Sequence, residues 1–218
     1  MTPYYQAGGM VIYHCDAREL SLWAAADVLL TDPPYGMEYV SGWSGRSIQN
    51  DETVDVRDQV LEVWSRTWGG KVQPGLVFGR WDQPPPKDAV HSLVWDKGDW
   101  PGMGDLRLPW GPSFEMVYVL GDGADWAKAG AKRGGSVVRC DRLTGDTLHP
   151  NEKPVRLLQQ LLQKMPLYPS RVVADPFMGS GATLVAAKNL GWNAIGVELE
   201  ERYCEVAAKR LSQEVMPW

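Results

Sequence analysis

The sequence predicts an α/β fold built around a mostly parallel β-sheet with an antiparallel edge pair. The main indication is the C-terminal region, where strand 171–174, helix 181–190, strand 193–198 and helix 200–211 alternate. Alternation of this kind is typical of parallel strands with helices on both faces of the sheet. Residues 27–31 form a continuous apolar run bounded by turn residues, as expected of a buried parallel strand.

The antiparallel pair is predicted in the middle of the chain. Ser92–Trp95 and Phe114–Leu120 are apolar segments on either side of a loop rich in glycine and proline, so they can pair antiparallel. Residues 121–148 lack periodicity and are expected to be a loop. The next segment, 153–165, is predicted to be an amphipathic helix. Its apolar face is formed by Val155, Leu158, Leu161, Leu162 and Met165.

The other elements follow from local patterns. Met10–Tyr13 and 74–78 are short strand candidates, and Asp16 has the position of an N-cap for a helix that reaches Trp23. Asp51 is a candidate N-cap for a further helix. The apolar face of that helix is formed by Val56, Val60, Val63 and Trp64.

Composition indicates one globular domain that spans residues 1–218. Hydrophobic residues make up 44% of the chain and charged residues 22%, as in folded proteins. No apolar stretch approaches the ~20 residues of a membrane span, and no signal-peptide pattern is present, so we expect a soluble cytoplasmic protein. Cys15, Cys140 and Cys204 are odd in number and far apart, which suits neither a disulfide framework nor a zinc site.

The charge distribution is uneven. A net charge of −5 argues against binding of nucleic acid over the whole surface. Residues 124–142 nevertheless carry five bases against Asp125 and Asp141. This basic run is either a solvated loop or a local contact surface for phosphates. The bases are Lys128, Lys132, Arg133, Arg139 and Arg142.

A glycine-rich turn follows strand 171–174. Gly179 and Gly181 flank Ser180 where the chain passes into a helix, and glycine there lets the backbone approach a ligand closely. Glu198 ends the next predicted strand, where a carboxylate can accept hydrogen bonds from two ribose hydroxyls. The third glycine of the dinucleotide pattern is missing. The turn therefore favours a mononucleoside-like ligand over NAD, with a purely structural tight turn as the alternative.

A second motif, Asp32-Pro33-Pro34-Tyr35, follows the apolar run 27–31. Proline has no N–H, so the carbonyls before and between the prolines face outward as acceptors. Together with the Asp32 carboxylate they suit an amino group that donates two hydrogen bonds. Tyr35 offers a flat face on which a planar base can stack. The alternative is a strand-ending turn with a capping aspartate.

These motifs resemble those of S-adenosylmethionine-dependent DNA amino-methyltransferases of the β class, in which the DPPY motif precedes the F-x-G-x-G motif. His149–Pro154 is similar to a third family block, although family members more often carry Thr-Gln where this chain has Asn151-Glu152. Weaker family features are Trp95–Lys97, 102–104 and 114–115. The resemblance implies a Rossmann-like methyltransferase sheet with circularly permuted strand order.

The resemblance also assigns roles to individual residues. Asp32, Pro33, Pro34 and Tyr35 would be catalytic. Glu198 would hold the ribose of the cofactor and Asp16 would lie near its adenine, while Asn151 and Lys153 would lie near its methionine part. The remaining residues of the cofactor pocket would be Asp175, Phe177, Gly179, Gly181 and Thr183.

The implied reaction is methyl transfer from S-adenosylmethionine to the exocyclic amino group of a flipped-out base in double-stranded DNA, without a metal. DPPY is commoner with adenine N6 transfer, which is therefore favoured over cytosine N4. The alternatives are an RNA or protein amino-methyltransferase, a DNA- or nucleotide-binding protein that has lost its catalytic activity, and an NAD-dependent dehydrogenase.

The stretch available for target recognition is short, about 122–148 plus the loop 36–50. We therefore expect a short recognition sequence or loose specificity, in an enzyme of a restriction-modification system or, given the small size, a solitary or phage enzyme. Whether it is a monomer or a dimer is left open. The candidates for DNA contacts are Arg46, Lys128, Lys132, Arg133, Arg139 and Arg142.

Overall fold

The computed structural model describes residues 1–35, 55–67, 72–98, 106–127, 132–143 and 152–213. Within these ranges the chain forms one sheet of nine strands. The strands are β1 (Tyr5–Ala7), β2 (Met10–His14), β3 (Val28–Thr31), β4 (Gly75–Gly79), β5 (Ala89–Asp96), β6 (Phe114–Leu120), β7 (Val137–Arg139), β8 (Val172–Asp175) and β9 (Asn193–Glu198). The helices are α1 (Asp55–Thr67), α2 (Gly123–Trp126), α3 (Val155–Leu162), α4 (Ala182–Asn189), α5 (Glu201–Ser212) and a 3₁₀ helix, Leu22–Ala25.

The strand order across the sheet is β1-β2-β9-β8-β3-β4-β6-β5-β7. Five neighbouring pairs are parallel, and the pairs β1–β2, β4–β6 and β5–β6 are antiparallel. The predicted α/β fold with a mostly parallel sheet is confirmed. The first predicted strand, β2, lies beside the last one, β9, as the permuted order requires. The predicted antiparallel pair is also present, although it does not form the edge, because β7 pairs with β5 beyond it.

Two predictions of local structure were wrong. The helix predicted from Asp16 to Trp23 is replaced by a turn and a 3₁₀ helix, because Oδ1 of Asp16 accepts the backbone N–H of Arg18 at 2.9 Å and favours a turn. The predicted loop 121–148 contains α2 and β7 in its described part. Helix α3 is shorter than predicted and begins after Pro154. Asp51 lies outside the described residues.

Apolar side chains cover both faces of the sheet. On one face, α3, α4 and α5 pack through residues such as Leu158, Leu184 and Ala207. On the other face, Trp23 of the 3₁₀ helix stacks on Trp64 of α1, with ring centroids 6.2 Å apart and planes at 5°. In the described part of the chain, no helix is long and apolar enough to cross a membrane. Helices on both faces leave the sheet edges as the places where loops can build a site.

Candidate active site

The two motifs meet at one edge of the sheet. Asp32 follows β3, which is parallel to β4 and β8, and the glycine loop follows β8. The carboxyl ends of these parallel strands therefore share an edge, where β6 begins because it runs antiparallel to β4. Asp32 and Gly179 line the same cavity, together with Lys153 and Thr183. An arrangement with Asp32 and Gly179 on opposite sides of the molecule would have ruled out a shared site.

Asp32 is held by two contacts, one to each carboxylate oxygen. The hydroxyl of Tyr35 donates to Oδ1, and Nζ of Lys153 donates to Oδ2. The Asp32 side chain keeps 24% of its surface exposed, whereas the Lys153 side chain keeps only 6%. These two side chains thus hold the carboxylate in place, while part of its surface remains exposed at the cavity.

Lys153 is one member of a row of four alternating charges. Its Nζ lies 3.2 Å from Oε2 of Glu115, an ion pair, and Oε1 of Glu115 pairs with Nζ of Lys97 at 2.5 Å. The ammonium of Lys153 also lies 5.1 Å from the ring centre of Phe78, within the range of a cation–π contact. We call Lys97, Glu115, Lys153 and Asp32 the charge row.

Burial and the neighbouring charges shift the pKa values of Asp32, Glu115 and Lys153 in different directions. Burial raises the pKa of Asp32 above its usual range, although the Lys153 ammonium acts against this shift. Burial alone would raise the pKa of Glu115, but the two ammonium groups outweigh it and the pKa is lowered. Burial acts to lower the pKa of Lys153, yet its two carboxylate neighbours raise it. Lys153 and Glu115 are therefore both ionised near neutral pH.

Tyr35 stays a neutral phenol over the same range. Burial raises its pKa well above the ordinary value, and the nearby Asp32 carboxylate raises it further. Its hydroxyl is thus a stable donor to Asp32. The ring lies within 5.8 Å of Nζ of Lys153.

The glycine loop has a backbone that other residues adopt only with strain. Gly179 has φ of 50° and Gly181 has φ of 80°, both in the left-handed region. A Cβ on Gly181 would also lie 2.7 Å from Cβ of Ala207 in α5. Glycine at position 181 therefore allows both the turn and the close packing of α4 against α5.

Arg210 of α5 holds the glycine loop through hydrogen bonds to Ser180. Its Nη1 donates to the backbone oxygen of Ser180 at 2.9 Å and to the Ser180 hydroxyl at 3.0 Å. The same nitrogen lies 2.9 Å from Oε1 of Glu152, whose side chain is 6% exposed. Glu152 is a position where the chain departs from the common Thr-Gln pattern. Its carboxylate links the segment before α3 to the glycine loop through Arg210.

Glu198 closes the other side of the glycine loop. Its Oε2 accepts the backbone N–H of Gly179 at 3.0 Å, and its Oε1 accepts that of Glu200 at 2.8 Å. Burial raises the pKa of this carboxyl group. Each oxygen retains a further lone pair, so the group can still accept hydroxyl hydrogen bonds.

Asp175 ties the ends of β3 and β8 together. Its Oδ1 accepts the hydroxyl of Thr31 at 2.7 Å and the backbone N–H of Phe177 at 3.1 Å. Burial raises the pKa of Asp175 to about 6, while bonds from Thr183 and Thr31 oppose the shift. Asp175 thus links the end of β3 to the start of the glycine loop.

The other predicted site residues are more dispersed. Asp16 follows β2, which pairs with β9, and its Oδ2 forms an ion pair with Arg18 at 2.5 Å. Asn151, Arg46 and Lys128 lie outside the described residues, and so does the loop 36–50. Their predicted roles stay predictions.

The predicted basic surface is divided between two places. Arg139 ends β7, which is parallel to β5, and it pairs with Asp96 at 2.9 Å while 80% of its side chain remains exposed. It therefore lies at the same sheet edge as Asp32, and Arg142 follows it. The backbone oxygen of Lys132, by contrast, accepts a bond from Lys164, beyond the C-terminal end of α3. Lys132 and its neighbour Arg133 are thus displaced toward the opposite edge.

Three residues of the site carry roles that the sequence did not suggest. Glu115 and Lys97 were noted only as weak family features, and Arg210 was not singled out. Each acts by pairing with a group on another element, which no local pattern reports. The only sequence signal for the Arg210 pair is the acidic residue at position 152, where the family more often has glutamine.

Comparison with known proteins agrees with the fold. A family model described as DNA methylase matches residues 107–209. A putative methylase, YubD of Escherichia coli K12, is 29% identical over 197 residues, covering 86% of this chain and 82% of the relative. The type II methyltransferase M2.DpnII of Streptococcus pneumoniae is 22% identical, covering 97% of this chain and 93% of the relative.

Two solved structures show the same fold. The complex of M1.HpyAVI with S-adenosylmethionine superposes with a TM-score of 0.65 at 23% identity, over 94% of this chain and all of that one. The cytosine-N4-specific PvuII DNA methyltransferase superposes with a TM-score of 0.69 at 15% identity, over 99% and 90% of the two chains. The fold is thus the Rossmann-like methyltransferase fold. The family match and the methyltransferase relatives confirm the resemblance to DNA amino-methyltransferases.

Proposed function

We propose that this chain transfers a methyl group from S-adenosylmethionine to the exocyclic amino group of a base in double-stranded DNA, with adenine N6 as the target. The observation that carries the proposal is the shared cavity of Asp32 and the glycine loop. An acceptor for an amino group and a turn suited to a nucleoside-like ligand thus open into one space. The family match at 107–209 supports the same reaction class.

The residues around the cavity fit this cofactor. Gly179 lines the cavity without a side chain that would keep a ligand from its backbone, and Glu198 retains acceptor capacity at the end of β9. Phe177, Thr183 and Lys153 complete the wall. When bound, S-adenosylmethionine supplies an electrophilic methyl group on a sulfonium centre.

Asp32 has the central chemical role. The amino lone pair of adenine is delocalised into the ring and is a poor nucleophile. Asp32 and the carbonyl of Pro33 would accept the two N–H groups and favour a pyramidal nitrogen whose lone pair can react. Asp32 would then accept the proton that the methylated nitrogen loses. Pro34 keeps the turn rigid, since its φ is fixed.

The target base must leave the duplex to reach Asp32, because its amino group is buried in the base stack. Tyr35 would stack on the extruded base. The surrounding edge exposes large apolar side chains that a bent duplex can cover: Trp110 is 81% exposed and Trp81 is 70% exposed. Arg139 and Arg142 are the basic residues that we assign to phosphates at this edge. The proposed recognition region is about 122–148 plus the loop 36–50.

The choice of adenine follows from the DPPY motif. Cytosine N4 transfer is the second candidate, because the chain shares its fold with an enzyme described as cytosine-N4-specific. Both bases present an amino group on a six-membered ring, so the Asp32 wall suits either.

One experiment tests the proposal. The protein is incubated with S-adenosylmethionine labelled in its methyl group and with duplex DNA, RNA or an unrelated protein, and the labelled DNA is digested to nucleosides. We expect label in N6-methyladenine, and none in any substrate for Asp32→Ala. Label in N4-methylcytosine would replace the base assignment, whereas label only in RNA or protein would overturn the function.

A further inference from the structure

Lys153 poses an electrostatic problem for a methyltransferase. Its ammonium is buried in the cavity wall beside Asp32. A methyl donor with a sulfonium centre is itself a cation, and so is the amino nitrogen just after methylation. A buried ammonium repels a nearby cation more strongly than a solvated one, because the local dielectric constant is lower.

We propose that Glu115 is a positioning residue that acts through Lys153 and keeps the cavity wall electrically neutral toward a cationic methyl donor. This inference rests on the proposed function. Oε2 of Glu115 lies 3.2 Å from the Lys153 ammonium, which also pairs with Asp32, and Glu115 is itself neutralised in part by Lys97. The charge row thus contains two ammonium groups and two carboxylates.

The cavity wall depends on Glu115 for its neutrality because Asp32 must also accept the amino group of the substrate. If Asp32 alone compensated Lys153, its carboxylate would be held in a tight one-to-one ion pair and would be a weaker acceptor for an amino group. Glu115 takes a share of the ammonium charge. It therefore leaves Asp32 with acceptor strength for the substrate, while the wall carries no excess positive charge.

The other ionisable groups nearby are already satisfied. Arg80 pairs with Asp82 at 2.6 Å, and Glu152 pairs with Arg210 at 2.9 Å. Tyr35 is neutral, and Asp175 accepts bonds from Thr31 and Phe177. Removal of the Glu115 charge would therefore leave the site with one positive charge that no described neighbour cancels.

The test compares two ligands that differ by one charge. S-Adenosylmethionine carries the sulfonium, whereas S-adenosylhomocysteine is the uncharged thioether. Their dissociation constants are measured by calorimetry for the wild type, Glu115→Gln, Lys97→Met and the double variant, at low and at high salt. Circular dichroism checks the fold of each variant.

We expect Glu115→Gln to weaken S-adenosylmethionine binding relative to S-adenosylhomocysteine by about tenfold, the order of one uncancelled charge at a partly buried site. Lys97→Met should shift the ratio in the opposite direction, and the double variant should return it toward the wild-type value. The shifts should shrink at high salt.

An unchanged ratio in folded Glu115→Gln would overturn the inference, and so would equal losses for both ligands. If Glu115→Gln fails to fold, Lys97→Met decides, since a ratio that does not move toward S-adenosylmethionine refutes the charge argument. The two proposals can fail separately. A wild-type protein that binds neither ligand would overturn the proposed function, whereas normal binding with an unchanged ratio would overturn only this inference.

Discussion

The two walls of the cavity are built by different physical means. The wall that carries Asp32 depends on ion pairs between side chains from distant parts of the chain, such as Lys153 and Glu115. The wall formed by the glycine loop depends on backbone conformation and on close packing, as at Gly181. Charge changes should therefore alter the first wall without disturbing its shape, whereas added atoms should disturb the second.

The largest effect is expected at the wall that carries Asp32, which we call the ionic wall. Asp32→Ala removes the acceptor for the amino group, so we expect methyl transfer to fall by at least about a thousandfold. Binding of S-adenosylmethionine should persist but weaken by about tenfold, because the glycine loop is untouched while the charge row loses one carboxylate. The rate is measured with labelled cofactor and the binding by calorimetry. Substantial remaining activity would remove Asp32 from its role, and lost binding would show that the walls are not independent.

The wall formed by the glycine loop, which we call the packed wall, is tested by a pair of glycine variants. Gly181→Ala should lower the free energy of unfolding by about 2–4 kcal/mol and weaken cofactor binding, since it combines a positive φ with overlap against Ala207. Gly191→Ala is the matched control, because Gly191 has φ of 70° but nothing within 4 Å of an added Cβ.

The control should cost about 1 kcal/mol and leave cofactor affinity unchanged. Denaturant unfolding and ligand titration measure both quantities. If the two variants behaved alike, the backbone conformation alone would matter and the contact with α5 would not.

The stability of the protein should depend on pH through Asp175, which joins the two walls of the cavity. The pKa of Asp175 is raised from 3.8 to about 6 in the folded protein, so the folded state binds more protons than the unfolded state between these values. Its contribution to the free energy of unfolding is therefore greatest below pH ~4 and falls by roughly 3 kcal/mol as the pH rises to about 6. Asp175→Asn should flatten this part of the stability curve. A curve of unchanged slope would contradict the assignment.

The smallest effect concerns DNA. Arg139→Ala should weaken duplex binding by about three- to tenfold and reduce the salt slope by about 1. Arg139 is a mostly exposed base at the same sheet edge as Asp32, where it can contact a phosphate. Lys132→Ala is the matched control and should change neither quantity appreciably. Fluorescence anisotropy at several salt concentrations measures both. Equal effects of the two variants would extend the contact surface beyond this edge.

The predictable part of the fold was the part with strong local patterns. Strands β3 and β8 were foreseen because each is a mostly buried run next to turn residues, and β9 because it alternates with helices at the end of the chain. Strand β7 was missed because it has three residues and exists only through its pairing with β5. The predicted helix after Asp16 was wrong because one side chain, bonded to the backbone two residues later, favours a turn over a helix.

The site divides in the same way. Asp32 and the glycine loop were visible as motifs, since each needs particular residues in consecutive positions. The pairing of Lys153 with Asp32 joins residues 121 positions apart. Such a contact follows from strand order and register, which a motif does not contain. The ion pair of Glu115 with Lys153 likewise follows from the assembled sheet and not from a local pattern.

The contact of Arg210 with the glycine loop has a consequence for biosynthesis. Arg210 lies on α5 and reaches back to Ser180 and Glu152, which are made earlier. During translation, a nascent chain that has not yet released α5 from the ribosome lacks both contacts. The glycine loop therefore gains its support only once α5 has docked, and chains that still lack α5 should bind S-adenosylmethionine poorly.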